Sequence, residues 1–170
     1  MTSTIAMTLG DLTGVGPEVT LKALAAEWGV DETRYLLIGD EGHLHWLNEE
    51  LGLNLPLQRE GEAPGRICIA RVGDSAEILP SAIPRSLPAG SPVAARAALA
   101  WLADGARLCL RGEADALVTA PVSKEAILRS GQPFVGQTEF LSALAGTDQT
   151  IMMLLGADDR GQCPRRAVGD

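Results

Sequence analysis

Four side chains in this sequence have the types and settings from which chemistry is built. They are Asp11, Lys124 and the neighbours Gln137 and Thr138. Lys124 follows the apolar run Ala116–Val122, and ligands of open α/β sheets collect at the carboxyl ends of strands. A lysine there is a point charge for phosphate or carboxylate, or an acid/base if its pKa is lowered. The competing reading makes Ser123 a helix N-cap and Lys124 a solvated side chain. Gln137 and Thr138 bring an amide and a hydroxyl to a helix start, a setting suited to holding phosphate. Leu141 stands three residues after Thr138, so no capping box is present, and a plain helix cap is the alternative.

Asp11 belongs to a glycine-rich loop, residues 10–18 (GDLTGVGPE). A dinucleotide cradle requires G-x-G-x-x-G; Gly14 and Gly16 supply two positions, but the third falls on Val19. The nearest candidate for the ribose-binding acid is Asp40. A phosphate loop of the G-K-[ST] type is absent. Pro17 suits the first helical position, and Glu18 in the first turn would partly repel a bound anion. Gly14 and Gly16 permit positive φ or a close approach of other chain segments. Two readings stand: a tight strand-to-helix turn, or a site-lining loop with Asp11 facing a cleft.

The elements that must position these residues alternate. Apolar runs at 4–9, 35–39, 66–72, 116–122 and 150–155 read as strands, most of them continuously apolar, as strands buried on both faces are. Helical patterns occupy 17–28, 41–51, 92–111, 123–130 and 137–145, the last with Phe140, Leu141 and Leu144 as its buried face. Residues 54–65 and 79–92 read as loops. Such alternation predicts an α/β fold with a mostly parallel sheet flanked by helices. After 155 the chain loses periodicity.

The chain has 170 residues, 46% hydrophobic and 21% charged, with a net charge of −8. That composition is globular, and the acidic balance without a basic run argues against nucleic acid or anionic membrane as partners. No apolar stretch reaches membrane-spanning length, and the start lacks signal-peptide character, so a cytoplasmic location is expected. Cys68, Cys109 and Cys163 are scattered, which predicts reduced thiols, the first two in the core. His43 and His45 point about 200° apart on a helix and would not share a metal.

Together these segments resemble the N-terminal half of the 4-hydroxythreonine-4-phosphate dehydrogenase (PdxA) family of pyridoxine biosynthesis. The family's opening pattern, approximately T-P-G-D-P-x-G-I-G-P-E, is matched by Thr8 to Glu18. Its T-G-P-V-x-K is matched by Thr119 to Lys124, and its P-F-x-G-H-T-E-F by Pro133 to Phe140. Its M-M-L strand is matched by Met152 to Leu154. The resemblance covers about residues 5–158 and implies an isopropylmalate-dehydrogenase-like fold, incomplete here at the C-terminus, with residues 159–170 an aberrant or disordered tail. It also implies a homodimer with its active site at the subunit boundary. The implied reaction is NAD-dependent oxidation of 4-phosphooxy-L-threonine followed by decarboxylation, assisted by a divalent metal (Zn, Mg or Co).

Under this resemblance Gln137 and Thr138 contact substrate and the cofactor-binding residues are unassigned; Lys124, from its place after the 116–122 strand, is the candidate catalytic residue. Gln137 stands where the family has histidine, losing a titratable ring. The family's three metal-binding histidines lie beyond the M-M-L strand, and this sequence has no histidine after His45. A truncated or frame-shifted product, inactive alone and leaving unpaired strand edges, is therefore expected. The alternatives are a non-catalytic phosphoanion-binding or interaction remnant, or a dehydrogenase for another phosphorylated hydroxy acid.

Overall fold

The computed structural model describes residues 2–30, 32–62, 65–70, 83–84, 86–155 and 165–168. The chain separates into two compact units, Met1–Val135 and Gly136–Asp170.

The first unit is a five-stranded sheet in the order β3-β4-β2-β1-β5. Its strands are β1 (Thr4–Thr8), β2 (Arg34–Ile38), β3 (Gln58–Arg59), β4 (Ile67–Ile69) and β5 (Ala116–Thr119). All neighbouring pairs are parallel. Helices α1 (Gly16–Glu27), α2 (Glu41–Glu50), α3 (Pro92–Leu110) and α4 (Lys124–Arg129) connect or follow them. From β1 to β2 the chain moves toward β4; from β4 to β5 it moves the other way. With right-handed crossovers, α1 therefore covers one face and α3 the other.

The core follows from the apolar runs. Ala6, Leu36, Leu37, Ile38 and Ile67 of the central strands are buried, as are Leu21 and Leu24 of α1, Leu44 of α2 and Trp101 and Leu102 of α3. Each fully buried Leu or Ile contributes about 1.5–3 kcal/mol. Cys68 is buried, and Cys109 is half-buried against the core. Cys163 and strand residues 71–72 lie outside the described residues.

Two expectations require correction. First, β5 is not buried on both faces: Ala116 and Val118 are exposed, because β5 lies at the sheet border. An apolar run does not distinguish a border strand from a central one. The strand also ends at Thr119 rather than 122. Second, the 54–65 loop contains β3, too short and polar to carry a strand signal. In the second unit β6 (Met152–Leu155) pairs with β7 (Arg165–Val168), antiparallel, in a separate two-stranded sheet.

The second unit contains α5 (Gln137–Ala145) with these two strands. The α5 boundaries match the sequence reading, but its apolar face does not. Phe140, Leu141 and Leu144 are only half-buried, and no α5 residue is fully buried. Little else in this small unit is available to cover them. Gly146, left-handed at φ 65°, ends the helix as glycine commonly does.

Candidate functional site

In the first unit, three loops meet at the carboxyl ends of β1 and β5. Gly10 has φ 67°, and a Cβ there would stand 2.3 Å from the Pro121 carbonyl oxygen. A Cβ on Gly16 would stand 2.4 Å from the Leu9 carbonyl oxygen and 3.1 Å from the Ala120 Cβ. These positions need glycine because backbone packs against them. Gly16 thus fulfils the close approach expected of it. Gly14 has neither a positive φ nor a comparably tight approach, its nearest neighbour being the Asp11 carbonyl oxygen at 3.4 Å. The positive φ falls on Gly10 instead.

Hydrogen bonds complete the junction. The Asp11 N–H donates to the Pro121 carbonyl at 3.1 Å. The Asp11 side chain, 6% exposed, accepts from the Thr13 N–H at 2.9 Å and from its hydroxyl at 2.7 Å. The Thr13 oxygen in turn accepts from the Gly90 N–H at 3.2 Å. Asp11 therefore orders the turn. Thr13 and Gly90 were not singled out from the sequence; the D-x-T spacing was the available signal for Thr13, whereas a contact across 77 positions left none.

The loop is not an open nucleotide cradle: the space a cradle would offer is occupied by Pro121, Leu9 and Ala120. Asp40 caps α2, accepting from the His43 N–H at 2.7 Å, so that side chain is committed to a helix start. The residues described here do not fit a divalent metal either. No grouping of three or more His, Cys, Asp or Glu among them could hold one. His43 lies edge-on against Trp46, and His45 lies 3.7 Å from Glu41.

The Ser123 hydroxyl accepts from the Ala126 N–H at 3.2 Å, capping α4. Lys124 opens that helix with an exposed side chain. Both sequence readings of this pair are thus physically compatible, since the cap leaves the ammonium group available to an anion.

In the second unit, Gln137 and Thr138 occupy the first turn of α5 after extended Gly136. Thr138 lines an open groove of about 510 Å³ with Leu141, Ser142, Ala145, Thr150 and Ile151; Gln137 is not among its lining residues. Successive helical positions diverge by about 100°, which separates these neighbours. The Ser142 hydroxyl donates to the Thr138 carbonyl at 2.8 Å and pairs with the Thr150 hydroxyl. Asp11 and Lys124 belong to the first unit and Gln137 and Thr138 to the second.

A parallel α/β sheet with converging loops at its strand carboxyl ends defines the class of open-sheet proteins that place ligands at that end. Within that class, the chain belongs to the PdxA family. The family model described as "Pyridoxal phosphate biosynthetic protein PdxA" matches residues 31–160. A D-threonate 4-phosphate dehydrogenase of Cupriavidus necator is 38% identical over 153 residues, covering 89% of this chain and 45% of that protein. A 4-hydroxythreonine-4-phosphate dehydrogenase of Geobacter metallireducens is 34% identical over 160 residues, with 89% and 45% coverage. The crystal structure of a 4-hydroxythreonine-4-phosphate dehydrogenase from Burkholderia phymatum superposes with TM-score 0.76 at 33% identity, covering 92% of this chain and 47% of that one. The chain spans about half the length of the curated relatives it matches.

Proposed function

We propose that this chain supplies the N-terminal half of a PdxA-type dehydrogenase acting on a phosphorylated hydroxy acid, with 4-phosphooxy-L-threonine as the leading substrate. The observation carrying this reading is the family match over residues 31–160. In the proposed reaction the substrate's secondary alcohol gives a hydride to NAD and a proton to solvent. The resulting β-keto acid then loses carbon dioxide. This chain's own contribution is binding: the Thr138 hydroxyl and Gln137 amide hydrogen-bond substrate oxygens. Lys124 offers its ammonium charge to an anionic group. No step is assigned to a metal, because the described residues do not fit one. The chain alone is proposed to be inactive, and a homodimer and cytoplasmic location accompany the reading.

A second substrate, D-threonate 4-phosphate, is favoured by the 38% identity to the Cupriavidus necator relative. The test is calorimetric binding of both phosphorylated compounds, together with NADH formation with added divalent metal. Binding without turnover by this chain is expected. NADH formation by the chain alone would overturn its inactivity, and absence of binding to both compounds would overturn the substrate class.

A further inference from the structure

Lys124 is exposed and makes no ion pair among the described residues, whereas its neighbour Glu125 pairs with Arg129 at 3.6 Å. The place of its ammonium group is therefore set by the backbone of α4. That helix has only six residues, and so short a helix is marginal without outside support. Buried Ala126 and Ile127 anchor its inner face. Two further contacts hold its ends, and both lead back to Asp11.

Just before α4, the Pro121 carbonyl accepts from the Asp11 N–H at 3.1 Å and stands where a side chain on Gly10 would be. At the far end of the helix, Arg129 lies against Gly90. A Cβ on Gly90 would stand 2.5 Å from Arg129 Nη2 and 4.0 Å from the Ala126 Cβ. Gly90, at φ 70°, admits this approach because it carries no side chain. Its N–H donates to the Thr13 oxygen, and Thr13 donates its own N–H and hydroxyl to the Asp11 carboxylate. α4 is thus gripped at both ends by groups that meet at Asp11.

We infer that Asp11 and Thr13 are positioning residues for Lys124: with Gly90 they bracket α4 and fix where its ammonium group meets an anion. The inference rests on the reading of Lys124 as a substrate-binding residue of a PdxA-type enzyme. Neither positioning side chain touches substrate. The Asp11 carboxylate, accepting from the N–H two residues on, fixes the turn whose first N–H reaches Pro121. The Thr13 hydroxyl joins the two grips, donating to Asp11 and accepting from Gly90. Charge-assisted hydrogen bonds are short, about 2.7–2.9 Å, so a small displacement of α4 would remove one made by Lys124.

The test uses the intact 170-residue chain and three variants. Thr13→Val keeps the shape of threonine without its hydroxyl, Thr13→Ser keeps the hydroxyl, and Asp11→Asn is a milder change to the same network. Hydrogen exchange of the α4 amides should quicken about fivefold in Thr13→Val, the worth of one hydrogen bond. It should quicken by less in Asp11→Asn and stay at the parent rate in Thr13→Ser, with α2 unchanged throughout. In calorimetry, Thr13→Val should weaken binding of 4-phosphooxy-L-threonine about threefold or more, yet have no effect in the Lys124→Ala background. Such non-additivity marks a residue that acts through the lysine, and Thr13→Ser should restore the parent affinity. Unchanged α4 exchange in Thr13→Val, or α2 quickening equally, would overturn the inference. So would equal weakening of binding with and without Lys124. Quickened α4 exchange in a chain whose parent binds neither phosphorylated compound would leave the bracket standing and refute the substrate reading.

Discussion

The Asp11 carboxylate accepts both the N–H and the hydroxyl of Thr13, at 2.9 and 2.7 Å, through the same oxygen. Since the Thr13 oxygen also accepts from the Gly90 N–H, one buried acid ties two loops 77 residues apart. Asp11→Ala removes that acceptor and leaves Thr13 partly unsatisfied, a loss of about 1–3 kcal/mol. Asp11→Asn retains an acceptor oxygen and should cost less. Urea melts of the two variants check this; equal stability of Asp11→Ala and the parent would show that the network is not what holds the turn.

Gly10 carries the most constrained backbone of the junction. Gly10→Ala must accommodate both the left-handed φ and a Cβ 2.3 Å from the Pro121 carbonyl oxygen. The destabilisation should exceed about 1 kcal/mol. Gly52, with φ 62° and nothing within 4 Å of an added Cβ, is the control: Gly52→Ala bears the φ strain without the clash. Thermal melts should rank Gly10→Ala well below Gly52→Ala, and similar midpoints would contradict the close approach.

Much of this architecture is legible in the sequence because local chemistry fixes it. Pro17 and Pro92 fall in first helical turns, and Ser91, Ser123 and Asp40 cap the helices they precede. Continuous apolar runs mark β1 and β2. Sheet position is not local. Val118 belongs to a run as apolar as that of β2, yet it is exposed because β5 is a border strand, a property of strand order. The half-burial of Phe140 and Leu141 has the same origin: helical spacing identifies an apolar face but not whether anything covers it. At the site, Ser123 and Lys124 could be placed from spacing, whereas the Thr13–Gly90 contact depends on how distant loops converge.

Cys109 offers a pH-dependent signature. Burial, and secondarily the negative charge of Asp115, push its thiol above the ordinary value. The thiolate is thus disfavoured in the folded chain. The associated stability is fully present below the unfolded thiol pKa of about 8.5 and declines as pH rises through it toward the folded value. Alkylation of Cys109, followed by peptide mass spectrometry, should reach half its maximal rate at higher pH in native than in urea-denatured protein. A native midpoint at or below the denatured one would refute this environment.

Ser123 and Lys124 separate a structural role from a binding one within two adjacent residues. Ser123 holds the Ala126 N–H at 3.2 Å, so Ser123→Ala should cost about 1 kcal/mol by loss of the cap. Lys124 is exposed, so Lys124→Ala should change stability by less than about 0.5 kcal/mol. If its ammonium group meets the substrate anion, the same substitution should weaken binding of 4-phosphooxy-L-threonine by about tenfold or more, the loss of a charge-assisted hydrogen bond. Lys124→Arg retains the charge and should recover part of that affinity. Denaturation and calorimetry on the three variants distinguish the roles. Weakened binding in Ser123→Ala with none in Lys124→Ala would assign the site to the helix start rather than to the lysine.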